Sequence, residues 1–124
     1  MITALTVAVA GAIGAVARFL TDAAVQGRRG GGSFPAGTLT VNIVGSFILG
    51  VVTGMVWYHG LGSRAHAVIG VGFCGAFTTW SSVTWETVRL AEDGLGRRAL
   101  VTMVGGVATA LAAAAVGIVV AALL

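Results

Sequence analysis

The sequence predicts an all-α membrane protein with four transmembrane helices, the third of them broken near its middle. Three observations carry this reading. Charge is scarce: 57% of the 124 residues are hydrophobic and 9% are charged, where a soluble domain carries about 25%. Apolar runs of spanning length recur, and a bilayer-crossing helix needs about 20 such residues. The chain has room for four spans with short connections, a single transmembrane domain over 1–124 with no separate soluble part. Finally, the stretch Gly72-Phe73-Cys74-Gly75-Ala76-Phe77-Thr78-Thr79-Trp80-Ser81-Ser82 turns from apolar to polar within one run. In lipid, backbone that leaves the helix must find new partners, and it is tolerated only inside protein or beside a polar cavity. An interruption there marks a candidate ion or substrate site.

The first span is expected over 2–25. It is rich in Ala, Val and Gly, and Gly11 and Ala15 form a small-residue pair that admits a neighbouring helix. Arg18 and Asp22 stand four apart, a spacing that favours an ion pair on one helical face. Met1–Thr6 holds no basic residue and the apolar run continues past Arg18, so this span reads as a retained helix rather than a leader. The linker Gln26-Gly27-Arg28-Arg29-Gly30-Gly31-Gly32-Ser33 has flexible composition and lacks a phosphate-loop pattern.

Pro35 opens the second span, expected over 36–58, because its missing N–H costs nothing in a first turn. Asn42 is its one strongly polar side chain. Gly50 and Gly54 make a GxxxG face with Gly45 and Ser46 upstream, and Trp57 and Tyr58 fall at an interfacial belt. The third span is expected over 65–90. Its second half carries Thr78, Thr79, Ser81, Ser82, Thr84 and Glu86, too polar to face lipid. The fourth span, over 99–123, is apolar with a ridge of Gly106, Ala110 and Ala114; Thr102 and Thr109 share a face.

Seven arginines, no lysine and four acids give a net charge of +3. No basic patch with interleaved aromatics exists, so a nucleic-acid partner is excluded. The arginines mark topology instead. Loops one and three hold Arg28, Arg29, Arg97 and Arg98, while the other side holds Arg64 alone. The positive-inside rule puts those two loops in the cytoplasm and both termini outside a multi-pass plasma-membrane protein. Cys74 is the only cysteine, so no intrachain disulfide forms and a small buried side chain is expected. His59 and His66 sit at loop edges without a carboxylate or thiol cluster, which argues against an enzyme.

Three stretches in order resemble the Fluc (CrcB) family of small fluoride channels. They are Gly11-Ala12-Ile13-Gly14-Ala15-Val16-Ala17-Arg18-Phe19, the run from Gly37 through Asn42 and Gly45 to Gly50, and the third-span stretch from Gly72 to Ser82 with Glu86 beyond it. The resemblance covers essentially the whole chain. It implies an antiparallel dimer of four-helix subunits with fluoride pathways between them. It also implies a structural sodium ion at the dimer centre, on backbone carbonyls that correspond here to Gly75 and Thr78.

By the same resemblance Asn42 is the pore asparagine. Its amide suits a dehydrated anion; read without the family, it serves equally as glue between helices. The implied pathway adds Thr79, Trp80, Ser81 and Val83. Here the chain departs from the family, which has phenylalanines at the positions of Trp80 and Val83. An aromatic edge is positive and attracts an anion; Trp80 keeps such an edge and Val83 has none. This departure and the arginine bias favour a heterodimer with a related subunit of opposite orientation, a homodimer being the open alternative. Arg18 and Glu86 are expected in structural roles, Arg18 paired with Asp22 or anchored at the membrane edge, Glu86 bonded to a neighbouring Thr or to Arg89. Two other readings remain open: a small multidrug-type proton-coupled exporter, which needs an acid deep in its first helix, and a non-conducting structural subunit.

Overall fold

The structure is a computed structural model that describes residues 1–28 and 34–124. Most of the glycine-rich linker, including Arg29, lies outside the described residues. The described residues are almost wholly helical. They form α1 (Ile2–Arg28), α2 (Ala36–His59), α3 (Ser63–His66), a π-wound segment (Ala67–Cys74), α4 (Gly75–Phe77), α5 (Trp80–Glu92) and α6 (Gly96–Leu123). Four stretches are long and apolar enough to cross a membrane: Ile2–Arg28, Ala36–His59, Ser63–Glu92 and Gly96–Leu123.

The ends follow local chemistry. Pro35 precedes α2 with φ −77°. Gly60 closes α2 in the left-handed region at φ 67°, its N–H donating to the Met55 carbonyl, a conformation glycine adopts without a Cβ clash. Gly94, at φ 76°, turns the chain between α5 and α6. His59 Nε2 lies 2.7 Å from the Ala121 carbonyl and ties the ends of α2 and α6 together.

Packing is built on small residues, as expected where lipid removes the usual hydrophobic drive between helices. A Cβ added at Gly50 would collide with the Ala114 carbonyl, and one at Gly117 with the Phe47 carbonyl. At Gly54 it would come within 2.6 Å of the Ala121 Cβ. So α2 and α6 meet backbone to backbone. The same device joins α1 to the π-wound segment, where Gly14 faces the Phe73 carbonyl and Gly72 faces Val7. Large apolar side chains point outward instead: Ile13, Val16 and Leu20 on α1, Leu111, Val116 and Val119 on α6 are all exposed. Among the described residues the largest completely buried side chains are Val41 and Cys74.

One sequence expectation is corrected here and one is extended. Among the described residues no ion pair joins Arg18 to Asp22. The Asp22 carboxylate lies against Gly37 at the start of α2, where the helix dipole favours a negative group. Second, the third span departs from α-helical geometry twice. Before the break it is wound as a π-helix over Ala67–Cys74, a winding concentrated at functional sites and with no counterpart in the sequence reading.

Candidate functional site at the interrupted span

The third span stops being helical at Thr78 and Thr79. Thr78 has φ −82° and ψ 160°; Thr79 has φ −148° and ψ 122°. Both values are ordinary extended backbone. The Thr79 N–H therefore does not return to the Gly75 carbonyl four residues back. It donates to Asn42 Oδ1 at 2.7 Å, and Asn42 Nδ2 donates to the Thr79 carbonyl at 2.9 Å. One carboxamide on α2 thus satisfies both backbone groups of one residue on the third span. Leaving either buried and unpaired would cost about 1–3 kcal/mol.

Hydroxyls complete the turn. Thr79 Oγ1 accepts the Ser82 N–H at 3.2 Å and caps α5. It also lies 3.1 Å from the Ser81 hydroxyl and donates to the Ser82 hydroxyl at 3.1 Å. Thr78 Oγ1 donates to the Cys74 carbonyl at 2.9 Å. Gly45 gives this turn its place: a Cβ there would collide with the Thr78 methyl group.

Two cavities flank Asn42. One, of about 160 Å³, runs from Asn42 and Val83 past Thr38 and Glu86, with Thr102 and Thr109 opposite. The other, of about 380 Å³, lies beside Ser46, Thr78, Thr79 and Trp80 and also reaches Asn42 and Val83. They share Asn42, Val83 and Gly106, so the carboxamide and the valine sit at the junction. Val83 is buried, 6% exposed, while Trp80 is 56% exposed at the edge of the second cavity. Ser81 is exposed and lines neither cavity.

Of the two partners expected for Glu86, a Thr or Arg89, the structure shows a Thr, and it comes from another helix. Thr38 Oγ1, on α2, donates to Glu86 Oε1 at 2.7 Å. Arg89 instead stacks over the Trp85 ring at 5.2 Å. Glu86 Oε2 is buried without a hydrogen-bond partner and belongs to the smaller cavity. Thr109 lines that cavity while its hydroxyl donates back to the Gly105 carbonyl at 2.7 Å. Thr38 and Ser46 are absent from the sequence-derived site. The signal for them was present: Thr38, Asn42 and Ser46 recur every four residues on one face of an otherwise apolar helix.

No group of three or more His, Cys, Asp or Glu side chains suited to a metal occurs among the described residues. The oxygens that suit a hard cation are backbone ones. The Gly75 carbonyl is passed over by the Thr79 amide. The Thr78 carbonyl, at ψ 160°, is turned off the helical direction.

The sequence model of the family described as "CrcB-like protein, Camphor Resistance (CrcB)" matches residues 5–118. The chain belongs to the CrcB family. Among its relatives, a protein of Leifsonia xyli subsp. xyli named "Fluoride-specific ion channel FluC 1" is 46% identical over 114 residues, 92% of this chain and 82% of that one. "Fluoride-specific ion channel FluC 2" of Mycobacterium bovis is 46% identical over 121 residues, 93% of this chain and 92% of its own. Its namesake in Haloarcula marismortui is 46% identical over 101 residues, 82% of this chain and 78% of that one. The interrupted span and both cavities fall within the part of this CrcB chain that the family describes.

Proposed function

We propose that this chain is one subunit of a fluoride-selective channel through which fluoride leaves the cytoplasm passively. The observation that carries the proposal is the pair of cavities meeting at Asn42 and Val83 beside the interrupted span. The names of the relatives supply the ion. Fluoride that enters as the neutral acid ionises in a less acidic cytoplasm and is trapped there. An inside-negative membrane then favours its exit by about 2.3 kcal/mol per 100 mV, so neither ATP nor a proton gradient is needed. Nothing at the site acts as a catalyst in this reading.

Selectivity follows from a narrow path with few water molecules and many donors. Asn42 has a second Nδ2 hydrogen beyond the one given to Thr79. Trp80 offers an aromatic edge and an indole N–H. Thr79 and Ser81 contribute through the hydroxyl cluster at the turn. Val83 lines the junction with an isopropyl group and donates nothing. Arg18 anchors the first span near the membrane edge, where a long side chain reaches the headgroups.

The family resemblance suggests a structural sodium ion, and the freed carbonyls of Gly75 and Thr78 fit such a hard cation. When bound, sodium would supply positive charge and join oxygens from two subunits about a two-fold axis. The partner is proposed to be a related chain of opposite orientation. The excess of arginine in loops one and three favours a single orientation for this chain, with both termini outside the plasma membrane. Relatives named with the numbers 1 and 2 fit organisms that hold two such chains.

Fluoride-electrode measurement of efflux from liposomes tests the proposal. This chain with its companion subunit is expected to release fluoride but retain chloride. Absence of fluoride release from the correctly assembled pair rejects the channel reading. Robust release from this chain alone rejects the heterodimer and leaves the channel standing.

A further inference from the structure

We infer that the Asn42 carboxamide is a positioning residue that holds the third span open, diverting the Thr79 amide proton from the Gly75 carbonyl and so making cation binding at the break depend on the second span. This rests on the sodium reading above and goes beyond it. There, Asn42 is a wall of the anion path. Here, it also determines whether the cation's ligands exist.

The argument is one of competition for a proton. In a continuous helix, the Thr79 N–H would donate to the Gly75 carbonyl. In this structure it goes to Asn42 Oδ1 at 2.7 Å, and the Thr79 carbonyl takes an Nδ2 hydrogen at 2.9 Å. No proline forces the interruption: Pro35 is the only one in the chain. No left-handed residue forces it either, since the positive φ angles among the described residues are at Gly60 and Gly94. Thr79 Oγ1 caps α5, but a cap starts a helix and does not stop the preceding one. The side chain that takes the amide from the preceding helix is Asn42.

Without that carboxamide, two backbone groups at membrane depth lose their partners. The acceptor that a continuous helix gives the Thr79 N–H is the Gly75 carbonyl, and a rejoined helix engages the oxygen proposed to hold sodium. The neighbouring residues of α2 fit this positioning role. Val41, beside Asn42, is completely buried, and Gly45 admits the Thr78 methyl group one turn on.

The test is a sodium titration of the purified full-length assembly, read as thermal stability in detergent, beside fluoride efflux on the same preparations. Asn42→Leu is expected to weaken the sodium midpoint roughly 10- to 100-fold, the usual loss when a group orienting a metal ligand is removed. Asn42→Asp keeps an acceptor for the Thr79 N–H, and its midpoint is expected to stay within about threefold, half a decade on the same scale. Ser46→Ala, on the same face of α2 and lining the same cavity but without a role in diverting the Thr79 amide, should lower flux and leave the midpoint where it was. Asn42→Ser, whose hydroxyl is too short to reach the Thr79 backbone, replaces the leucine variant if that protein does not fold. Loss of flux in Asn42→Leu or Asn42→Ser with an unchanged sodium midpoint overturns the inference and leaves sodium in place. A wild-type assembly indifferent to sodium removes the cation reading and this inference with it.

Discussion

The two halves of the third span meet the same demand in opposite ways. Before the break the chain is apolar and lies against α1 through bare backbone, with Gly72 against Val7 and Phe73 against Gly14. After it, α5 presents oxygens: Thr79 to the Ser82 amide, Glu86 to Thr38 across the gap to α2. The first half serves close packing, and the second serves hydrogen bonding around a path. Polarity at membrane depth is confined to the half where backbone has been freed, and it starts at the residue where the helix stops.

Damage to the packing half should be the most severe. Gly14→Leu drives a side chain into the Phe73 backbone, and overpacking of this kind costs roughly 1–3 kcal/mol or more. Loss of a monodisperse peak on gel filtration is expected; a normal peak would mean that α1 and the π-wound segment are not held as tightly as their contacts suggest. In the polar half the largest change should come from Trp80→Ala. About tenfold slower efflux is expected, equivalent to about 1.4 kcal/mol at the barrier, and unchanged efflux in the native assembly removes Trp80 from the path. Glu86→Gln keeps an acceptor for Thr38 but removes negative charge beside the smaller cavity. Fluoride efflux should rise about threefold, the size of a weakened like-charge repulsion near a surface; a fall would make the carboxylate a required part of the path. Smallest of all should be Thr109→Val, since that hydroxyl is already bonded to its own helix. Its melting free energy is expected to stay within about 0.5 kcal/mol of wild type.

Much of this contrast could be read in the sequence because it is written in residue types. Four apolar runs gave the four spans, and their ends moved by only a few residues, to Arg28, His59 and Glu92. The change from Phe77 to Thr78 located the interruption. Relations across helices were harder to see. The i, i+4 spacing of Arg18 and Asp22 permits a pair, yet the start of α2 comes close enough to draw the carboxylate to Gly37. Glu86 has Arg89 three residues on, but the Trp85 ring holds that guanidinium and Thr38 reaches the carboxylate. The π-winding leaves no mark in Ala67–Cys74 beyond its glycines, of which Gly72 meets α1 at close range. Asn42 stood out at once as the lone amide in an apolar helix. Its grip on both backbone groups of Thr79 depends on tertiary placement, which no local pattern records.

The length of α6 has a consequence of its own. A rod of 28 residues measures about 42 Å at 1.5 Å per residue, whereas the hydrocarbon slab is about 30 Å deep. Such a rod must tilt or protrude, and thinner lipids demand more tilt. One wall of both cavities is carried on that rod, so acyl-chain length becomes a control on the width of the passage.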